Sequence, residues 1–378
     1  MILHPTRRVA LLVCFCCITI FLFVTPAFLH NGSLDIHIWK VGFEALCQGD
    51  SLNTSSVEGS ESPHSRLLVT ASTVNEDTSW VEKELGNEHG LSTRIYVTDN
   101  ASSDYSVPLN KGHEAMVYLT YIIDEYRDLS DITLFVHAHQ FAWHNNDLLN
   151  RDMAEMVRRL SPDYVVRNGY INLRCHHDPG CPSHIFPHEP SFDPAYPEAA
   201  VIGLAWSELF PGELIPASIA QPCCAQMAMS RENILAVPLQ RYVDLRDWLL
   251  NTALDDRLSG RVFEYTWQYL WGQKYQYCPL QSVCYCDGYG VCFGGDEQYT
   301  TYDTIRRIAE EMDAEAKTSA ADELHAGVAF LPKDKLLKFK NRMETQLELW
   351  RSHAFFRGED HRNRAFEAGR LWTAKDDP

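Results

Sequence analysis

The sequence predicts an α/β domain built on a mostly parallel sheet with flanking helices. Apolar, β-branched runs alternate with segments of helical periodicity through residues 66–166. Parallel strands require this order, because each pair needs a crossover connection. The chain has 378 residues, 45% of them hydrophobic and 22% charged. Such a length and composition allow a large core and exclude a disordered or fibrous polymer.

The alternation is clearest in the first half of the domain. Runs rich in Val, Ile, Leu and Thr predict strands, and apolar residues three and four apart predict helices. The predicted strands lie at 66–73, 94–99, 132–139 and 164–166, and the predicted helices at 77–85, 115–126 and 149–160.

The second half is less regular. Residues 170–210 are rich in Pro, His, Gly and Cys, which favours long loops over the sheet. Helical patterns return at 237–254 and 261–271, and the charged segment 302–372 predicts exposed helices that pack marginally. The predicted organisation is a cytosolic tail at 1–8, a transmembrane signal-anchor at 9–29, a flexible stem at 30–64, a lumenal α/β domain at 65–300 and a helical extension at 301–378.

The N-terminal segment predicts the compartment. Residues 9–29 contain no charge, and as a helix they would span about 30 Å, the thickness of a bilayer core. Arginines at positions 7 and 8 place the preceding end in the cytosol, which predicts a single-pass type II membrane protein with its domain in the ER or Golgi lumen. Small residues at 25–27 leave cleavage open, and the cleaved product would be secreted. Three glycosylation sequons agree with a lumenal placement: Asn31, Asn53 and Asn100.

Charge narrows the range of partners. The formal net charge is −18, and a chain this acidic repels phosphate backbones. Nucleic acid is therefore excluded as a predicted partner. The expected partners are a membrane, through the single N-terminal span, and a small-molecule or glycan substrate.

Twelve cysteines suit an oxidising lumen, and nine of them lie outside 9–29. Four fall within fifteen residues and are predicted to form two disulfides with one another: Cys278, Cys284, Cys286 and Cys292. A zinc site is the alternative, although gaps of five, one and five residues are not typical of one. Cys175 and Cys181 could close a short loop, and the adjacent Cys223 and Cys224 are expected to bond to different partners.

The densest polar string, VHAHQFAWHNND at 136–147, follows the third predicted strand. Parallel sheets bind ligands beyond the carboxyl ends of their strands, so a site is expected here. His137 and His139 lie two residues apart on one face of an extended segment, where both could reach one metal ion or one phosphate. They could equally be hydrogen-bonding core residues. His144, Asn145 and Asp147 could add ligands, and Asp147 also suits a helix N-cap.

Two further segments offer candidate residues. LNKGHEA at 109–115 leads into a predicted helix, where Lys111 and backbone amides could hold a diphosphate. In SGRVFEYTWQYLWG at 259–272, helical spacing places Glu264 beside two tryptophans, as a base with a raised pKa or as an exposed acid above a buried stripe.

These strings, together with STVNEDTSW, GYINLRC, CCAQMAMSRENI and CYCDGYGVCF, resemble the fungal and plant family known as domain of unknown function 3431 across residues 65–295. More remotely, the VNED and NKGHEA segments are similar to nucleotide-sugar glycosyltransferases with a Rossmann-like fold of the GT-A type. His137-Ala138-His139 stands in roughly the place of the Asp-x-Asp metal motif of that class.

The remote resemblance implies a membrane-anchored, lumenal, glycosyltransferase-like enzyme with a nucleotide-sugar donor. It implies a possible divalent metal, manganese or zinc, held by His137 and His139, which could instead hold the leaving diphosphate. Glu264 would be the acceptor base, with His144 and Asp147 as further candidate catalytic residues. The expected substrate contacts are Asn75, Glu76, Asp77, Lys111, His113, Trp143, Asn145 and Arg174.

Two other functions fit the same residues. One is a metal-dependent tailoring enzyme, for example of fungal secondary metabolism, with His137, His139 and His144 on zinc, copper or iron. The other is a secretory-pathway binding protein in which the histidines are structural.

Overall fold

The computed structural model describes residues 64–183, 185–189, 193–318 and 333–373. The predicted cytosolic tail, signal-anchor and most of the stem lie outside these residues, as do Asn31 and Asn53. Among the helices in the described ranges, none combines the length and apolarity that a membrane crossing needs.

A five-stranded sheet with the order β2-β1-β3-β5-β4 organises the domain. β1 is parallel to β2 and to β3, while β5 is antiparallel to β3 and to β4. Four strands therefore run in one direction and β5 runs against them. The strands are β1 (Arg66–Ser72), β2 (Leu91–Val97), β3 (Ile132–His137), β4 (Tyr170–Asn172) and β5 (Met227–Ser230).

Helices cover both faces of the sheet. Those along the first part of the chain are α1 (Ser79–Leu85), α2 (Glu114–Glu125), α3 (Met153–Arg159), α4 (Pro162–Asn168), α5 (Ile202–Leu209) and α6 (Arg231–Leu235). Those that follow are α7 (Leu239–Asn251), α8 (Asp256–Glu264), α9 (Trp267–Gly272), α10 (Gln281–Val283), α11 (Asp296–Thr318), α12 (Lys333–Gly358) and α13 (His361–Glu367). Single helical turns at Asp147–Leu149, Pro197–Ala200 and Cys284–Gly288 complete the set.

Alternation along the strands separates two hydrophobic layers. Leu134 of β3 packs with α1, α3 and the C-terminal helices, whereas its neighbour Phe135 packs with α2, α7 and α9. The side-chain period of two in a strand sends consecutive residues to opposite faces. His137 continues the Phe135 face, so it lies on the α2 side of the sheet.

The fold corrects several predicted elements. Residues 164–166 are helical, not a strand, because the Ser161 side chain accepts a hydrogen bond from the Tyr164 amide and Pro162 begins α4. These capping features outweigh the β-branched pair. The fourth strand comes directly afterwards, at Tyr170–Asn172, and β5 was not predicted because MAMS has little β-propensity.

The predicted marginal packing of the C-terminal extension is also wrong. Tyr302, Leu347 and Ala354 are buried in the same hydrophobic cluster as Leu68 of β1. Sparse apolar residues on long helices thus line up on one face and join the core.

Four disulfides join the described cysteines, and one of them lies within the predicted group of four. Cys286 bonds to Cys292. The expected second bond within this group is absent from the described residues, because Cys284 bonds to Cys175 and Cys278 bonds to Cys181. These long-range bonds, which span 109 and 97 residues, join the loop after β4 to the segment after α9. The adjacent Cys223 and Cys224 bond to each other, contrary to expectation.

Candidate active site at the carboxyl edge of the sheet

The loops that follow β1 and β3 meet at one edge of the sheet. The chain passes from β2 over β1 to reach β3, so the carboxyl ends of β1 and β3 form a topological switch point. Trp80 Nε1 donates to the Ala138 carbonyl at 2.6 Å, and His139 Nδ1 lies 3.8 Å from Glu76 Oε1. Ligands of open α/β sheets bind in such a crevice.

His137 ends β3 and faces Glu114, the first residue of α2. His137 Nε2 lies 3.8 Å from Glu114 Oε2, and the two side chains are 24% and 15% exposed. Burial, and then the nearby Glu264, raise the pKa of Glu114 to about 8. Burial, and then the neighbouring His144, lower the pKa of His137 to about 3. At neutral pH the Glu114 carboxyl group is therefore mostly protonated, and the His137 imidazole is neutral.

His144 and Arg174 extend this row of side chains. The His137 and His144 rings meet edge to face at 4.9 Å, and Trp143 lies 5.5 Å from His144. The Arg174 guanidinium lies 5.4 Å from the centre of the Trp143 ring. Burial, and then the charge of Arg174, lower the pKa of His144 to about 4. Two neutral imidazoles and one cation thus line the site.

Arg174 is buried without a counter-ion. Arg174 is 6% exposed, and its guanidinium donates hydrogen bonds to the carbonyl oxygens of Trp143 and Asp178 at 3.3 and 2.7 Å. No carboxylate of the described residues pairs with it, and its Nε has no hydrogen-bond partner among them. Burial lowers the pKa of this guanidinium, because the charged form loses hydration, and the more distant charges of Asp147 and Asp178 offset only part of that loss. The buried Nε2 atoms of His137 and His144 likewise lack hydrogen-bond partners within the described ranges.

Glu264 is the last residue of α8, and its charge acts on Glu114. The Cys224 amide donates to Glu264 Oε1. Burial raises the pKa of Glu264, partly offset by that hydrogen bond and by Arg261. Glu264 and Glu114 are therefore two electrostatically coupled carboxyl groups with raised pKa, and Glu114 faces the neutral His137. Perturbed pKa values of this kind are common at functional sites.

A buried amide network holds the β3 loop in place. The His137 amide donates to Gln226 Oε1 at 3.2 Å, and Gln226 Nε2 donates to Asn145 Oδ1 at 3.1 Å. Asn145 Nδ2 in turn donates to the carbonyl oxygens of Gln140 and Arg151. Asn145 is fully buried and its side chain is hydrogen-bonded within this network. It therefore holds the loop that carries His144, whereas the sequence predicted it as a substrate contact.

The loop after β1 presents two exposed residues and one anchored residue. Asn75 and Asp77 are exposed, while Glu76 Oε2 accepts from the Thr73 amide at 2.7 Å. Hydrogen bonds from Ser79 lower the pKa of Asp77. Of the three expected substrate contacts on this loop, Glu76 thus lies beside His139 at the crevice, and its neighbours Asn75 and Asp77 are exposed.

Three predicted site residues have other partners. Lys111 Nζ donates to the Thr252 carbonyl at 2.6 Å, and His113 Nε2 lies 3.6 Å from Asp256. Asp147 is not the N-cap of its helical turn, a position that Asn146 occupies. Its carboxylate instead forms ion pairs with Arg306 of α11 at 3.0 Å and with Arg151 at 2.5 Å.

The possible metal-binding groups do not include the histidine pair. Among the described residues, potential ligand atoms of three side chains cluster in two places: Cys223, Cys224 and Glu264, and Cys286, Cys292 and Glu367. β3 ends at His137, so the strand alternation that would align His139 with it stops there. His137 faces Glu114, while His139 is 62% exposed beside Glu76.

Glu114 and Gln226 are site residues that the sequence reasoning missed. Glu114 lies in the LNKGHEA string, in which Lys111 and His113 were the predicted site residues. Its signal was a carboxylate in the first turn of a helix that starts at the carboxyl edge of the sheet. Nothing in the sequence marks Gln226, which precedes an unpredicted strand.

The fold and the site define an α/β protein with an acid–base cluster at the topological switch point of its sheet. The family model described as "Protein of unknown function (DUF3431)" matches residues 68–287, which is more than half of the chain. The chain therefore belongs to this family, as its motifs predicted. No curated protein and no solved structure matches it significantly.

Proposed function

We propose that the chain is a glycosyltransferase-like enzyme that transfers a sugar from a nucleotide-sugar donor bound across the carboxyl ends of β1 and β3. The supporting observation is the buried Arg174 guanidinium beside His144, which forms no ion pair with any carboxylate of the described residues. The remote resemblance to GT-A glycosyltransferases supplies the type of donor.

The charge balance of the site favours an anionic ligand. A buried cation without a counter-charge costs several kcal/mol, and an anion that binds beside it offsets that cost. Arg174 Nε, His137 Nε2 and His144 Nε2 are buried polar atoms that lack partners among the described residues. The diphosphate of a nucleotide sugar offers the acceptor oxygens that these groups need. Lys111 and His113, two of the predicted substrate contacts, instead contact the Thr252 carbonyl and the Asp256 carboxylate.

The nucleoside would then lie over the β1 loop, near Asn75 and Asp77. His139 Nδ1 and Glu76 Oε1, 3.8 Å apart, fit two ligands of a divalent ion. Divalent ions in phosphate sites often take one or two protein ligands and complete their shell with phosphate oxygens. A bound manganese or zinc ion would supply positive charge to the diphosphate.

The chemistry of the transfer uses the carboxyl groups. The acceptor hydroxyl forms the new bond to the anomeric carbon, its proton passes to the Glu264 carboxylate, and the bond from that carbon to the diphosphate breaks. Arg174 and the two imidazoles would stabilise the charge that develops on the diphosphate, which is the largest expected contribution to catalysis. Glu114, protonated at neutral pH, can donate a hydrogen bond to the same anion.

A thermal-shift and calorimetric titration of the purified protein with UDP, GDP and their sugars tests the binding step. We expect at least one nucleoside diphosphate to stabilise the protein. Arg174→Met should weaken its binding by about tenfold or more, since a charge-assisted hydrogen bond contributes about 1.5–3 kcal/mol. The exposed Arg362→Met removes the same charge elsewhere and should leave binding unchanged. Failure of every nucleotide to bind, or equal affinities in Arg174→Met and wild type, would refute the proposal.

A further inference from the structure

The adjacent cysteines 223 and 224 form an unusual corner beside Glu264. Their disulfide closes across a single peptide bond, with Cα atoms 3.7 Å apart. The two sulfurs and a Glu264 carboxylate oxygen all lie within 4.8 Å of one another. Cys223 is 4% exposed and Cys224 is half-buried, so Cys224 is the more exposed residue of the pair.

The backbone at this corner is held in an uncommon conformation. Cys224 and Ala225 have φ values of 85° and 45°, in the left-handed region that non-glycine residues rarely adopt. The Cys224 amide, oriented by this turn, donates to Glu264 Oε1. In the disulfide form, this turn and its hydrogen bond hold the Glu264 carboxylate beside both sulfurs.

We propose that reduction of the Cys223–Cys224 disulfide creates a binding site for zinc, with the two sulfurs and one Glu264 oxygen as ligands. A dithiol reductant supplies two electrons and two protons, so that the Cys223–Cys224 bond breaks and the disulfide of the reductant forms. Zinc then displaces the two thiol protons and any proton on Glu264. Two thiolates and a carboxylate are ligands that zinc accepts, and water can fill the fourth position.

The second group of similar composition shows why the first is the better site. Glu367, beside Cys286 and Cys292, accepts from the Gly294 and Gly295 amides and pairs with Arg357 at 2.9 Å. Its charge is already compensated, and a metal ion would have to break these bonds. Glu264 has only the Cys224 amide on its carboxylate and no ion pair in the described part of the chain.

The test measures zinc binding before and after reduction. Full-length protein is treated with a dithiol, the reductant is removed under anaerobic conditions, and zinc is titrated in competition with a chromophoric chelator. Mass mapping of alkylated peptides reports which disulfides have opened. The reduced protein should bind one zinc ion that the oxidised protein does not bind.

Three variants assign that ion. Cys224→Ser should lose it, and Glu264→Gln, which keeps both sulfurs, should weaken its binding by about tenfold or more. Cys292→Ser, the matched control in the second group, should retain it. The proposal is overturned if reduced wild type gains no zinc, if Cys224→Ser binds it as tightly as wild type, or if Cys292→Ser loses it. The readout is metal binding alone, so it is independent of the proposed sugar transfer.

Discussion

The protonated Glu114 makes stability depend on pH in a predictable direction. The folded-state pKa of about 8 is higher than the ordinary value of 4.5, so the folded protein binds a proton that the unfolded chain releases. The resulting stabilisation is fully present below pH 4.5 and is lost as pH rises through 8. The difference, 8 − 4.5 = 3.5 pH units, corresponds to at most about 5 kcal/mol.

The clearest window is pH 6.5–8. Below pH 6.5, His137 and His144 give the opposite trend, because their folded-state pKa values are lowered to about 3 and 4. The stability that these two neutral imidazoles contribute is present above pH 6.5 and is lost as pH falls. Within this window, the titration of Glu114 alone should lower the free energy of unfolding by about 1.5 kcal/mol between pH 6.5 and 8. This corresponds to a fall of about 3 to 5 °C in Tm.

Glu114→Gln should remove this part of the slope, because the amide does not titrate and keeps the shape of the neutral carboxyl group. Scanning calorimetry at pH 6.5, 7.25 and 8 measures the pH dependence of Tm for wild type and Glu114→Gln. The exposed Glu232→Gln serves as the control and should retain the wild-type slope. Identical slopes in wild type and Glu114→Gln would refute the assignment of a proton to the Glu114–His137 pair.

Three further predictions concern the rest of the chain. Cys181→Ser opens a disulfide that spans 97 residues and should destabilise the domain by about 2–5 kcal/mol, measured by urea unfolding; a loss below about 0.5 kcal/mol would contradict this. Gly358→Ala should release the C-terminal helices to limited proteolysis, because the new Cβ would lie 1.9 Å from the Gly290 carbonyl oxygen, whereas Gly272→Ala, with nothing within 4 Å, should resist like wild type. The protein expressed in a eukaryotic secretory pathway should shift on a gel after glycosidase treatment and stay in the membrane pellet at alkaline pH. Asn100→Gln should remove one glycan, since Asn100 is exposed, and an unmodified soluble product would contradict that topology.

The half of the fold that the sequence predicts correctly is the half with strong local patterns. β1 and β3 are buried runs, and β2 is a mostly half-buried run of high β-propensity. The helices between these strands have clear periodicity, so the local signals agree with the fold. At residues 164–166 the signals conflicted. Val165 and Val166 favour a strand, but Ser161 and Pro162 provide a helix start that decides the outcome.

Long-range contacts explain most of the other errors. Cys175 and Cys284 are 109 residues apart, and spacing along the chain carries no information on such pairings. β5 is a strand because β3 and β4 lie on either side of it, not because of its own residues.

The candidate site combines residues that the sequence predicts with residues that only the fold brings to the same edge of the sheet. His137 and His139 were found because a polar string directly follows a buried strand, which is a local signal. The partner of His137 is Glu114, which comes from a helix start 23 residues earlier, and only the fold brings the two within 3.8 Å. Arg174 stood in a recognised motif, but its missing counter-ion is a property of the folded state.

The most direct test of the central claim is a turnover assay with purified protein and a panel of nucleotide sugars, with and without manganese or zinc. Release of the nucleoside diphosphate is measured, because both transfer to an acceptor and slow hydrolysis by water produce it. The account predicts release from at least one donor, reduced at least about a hundredfold in Glu264→Gln, which removes the base, with donor affinity retained. Absence of release from every donor, or undiminished release by Glu264→Gln, would contradict it.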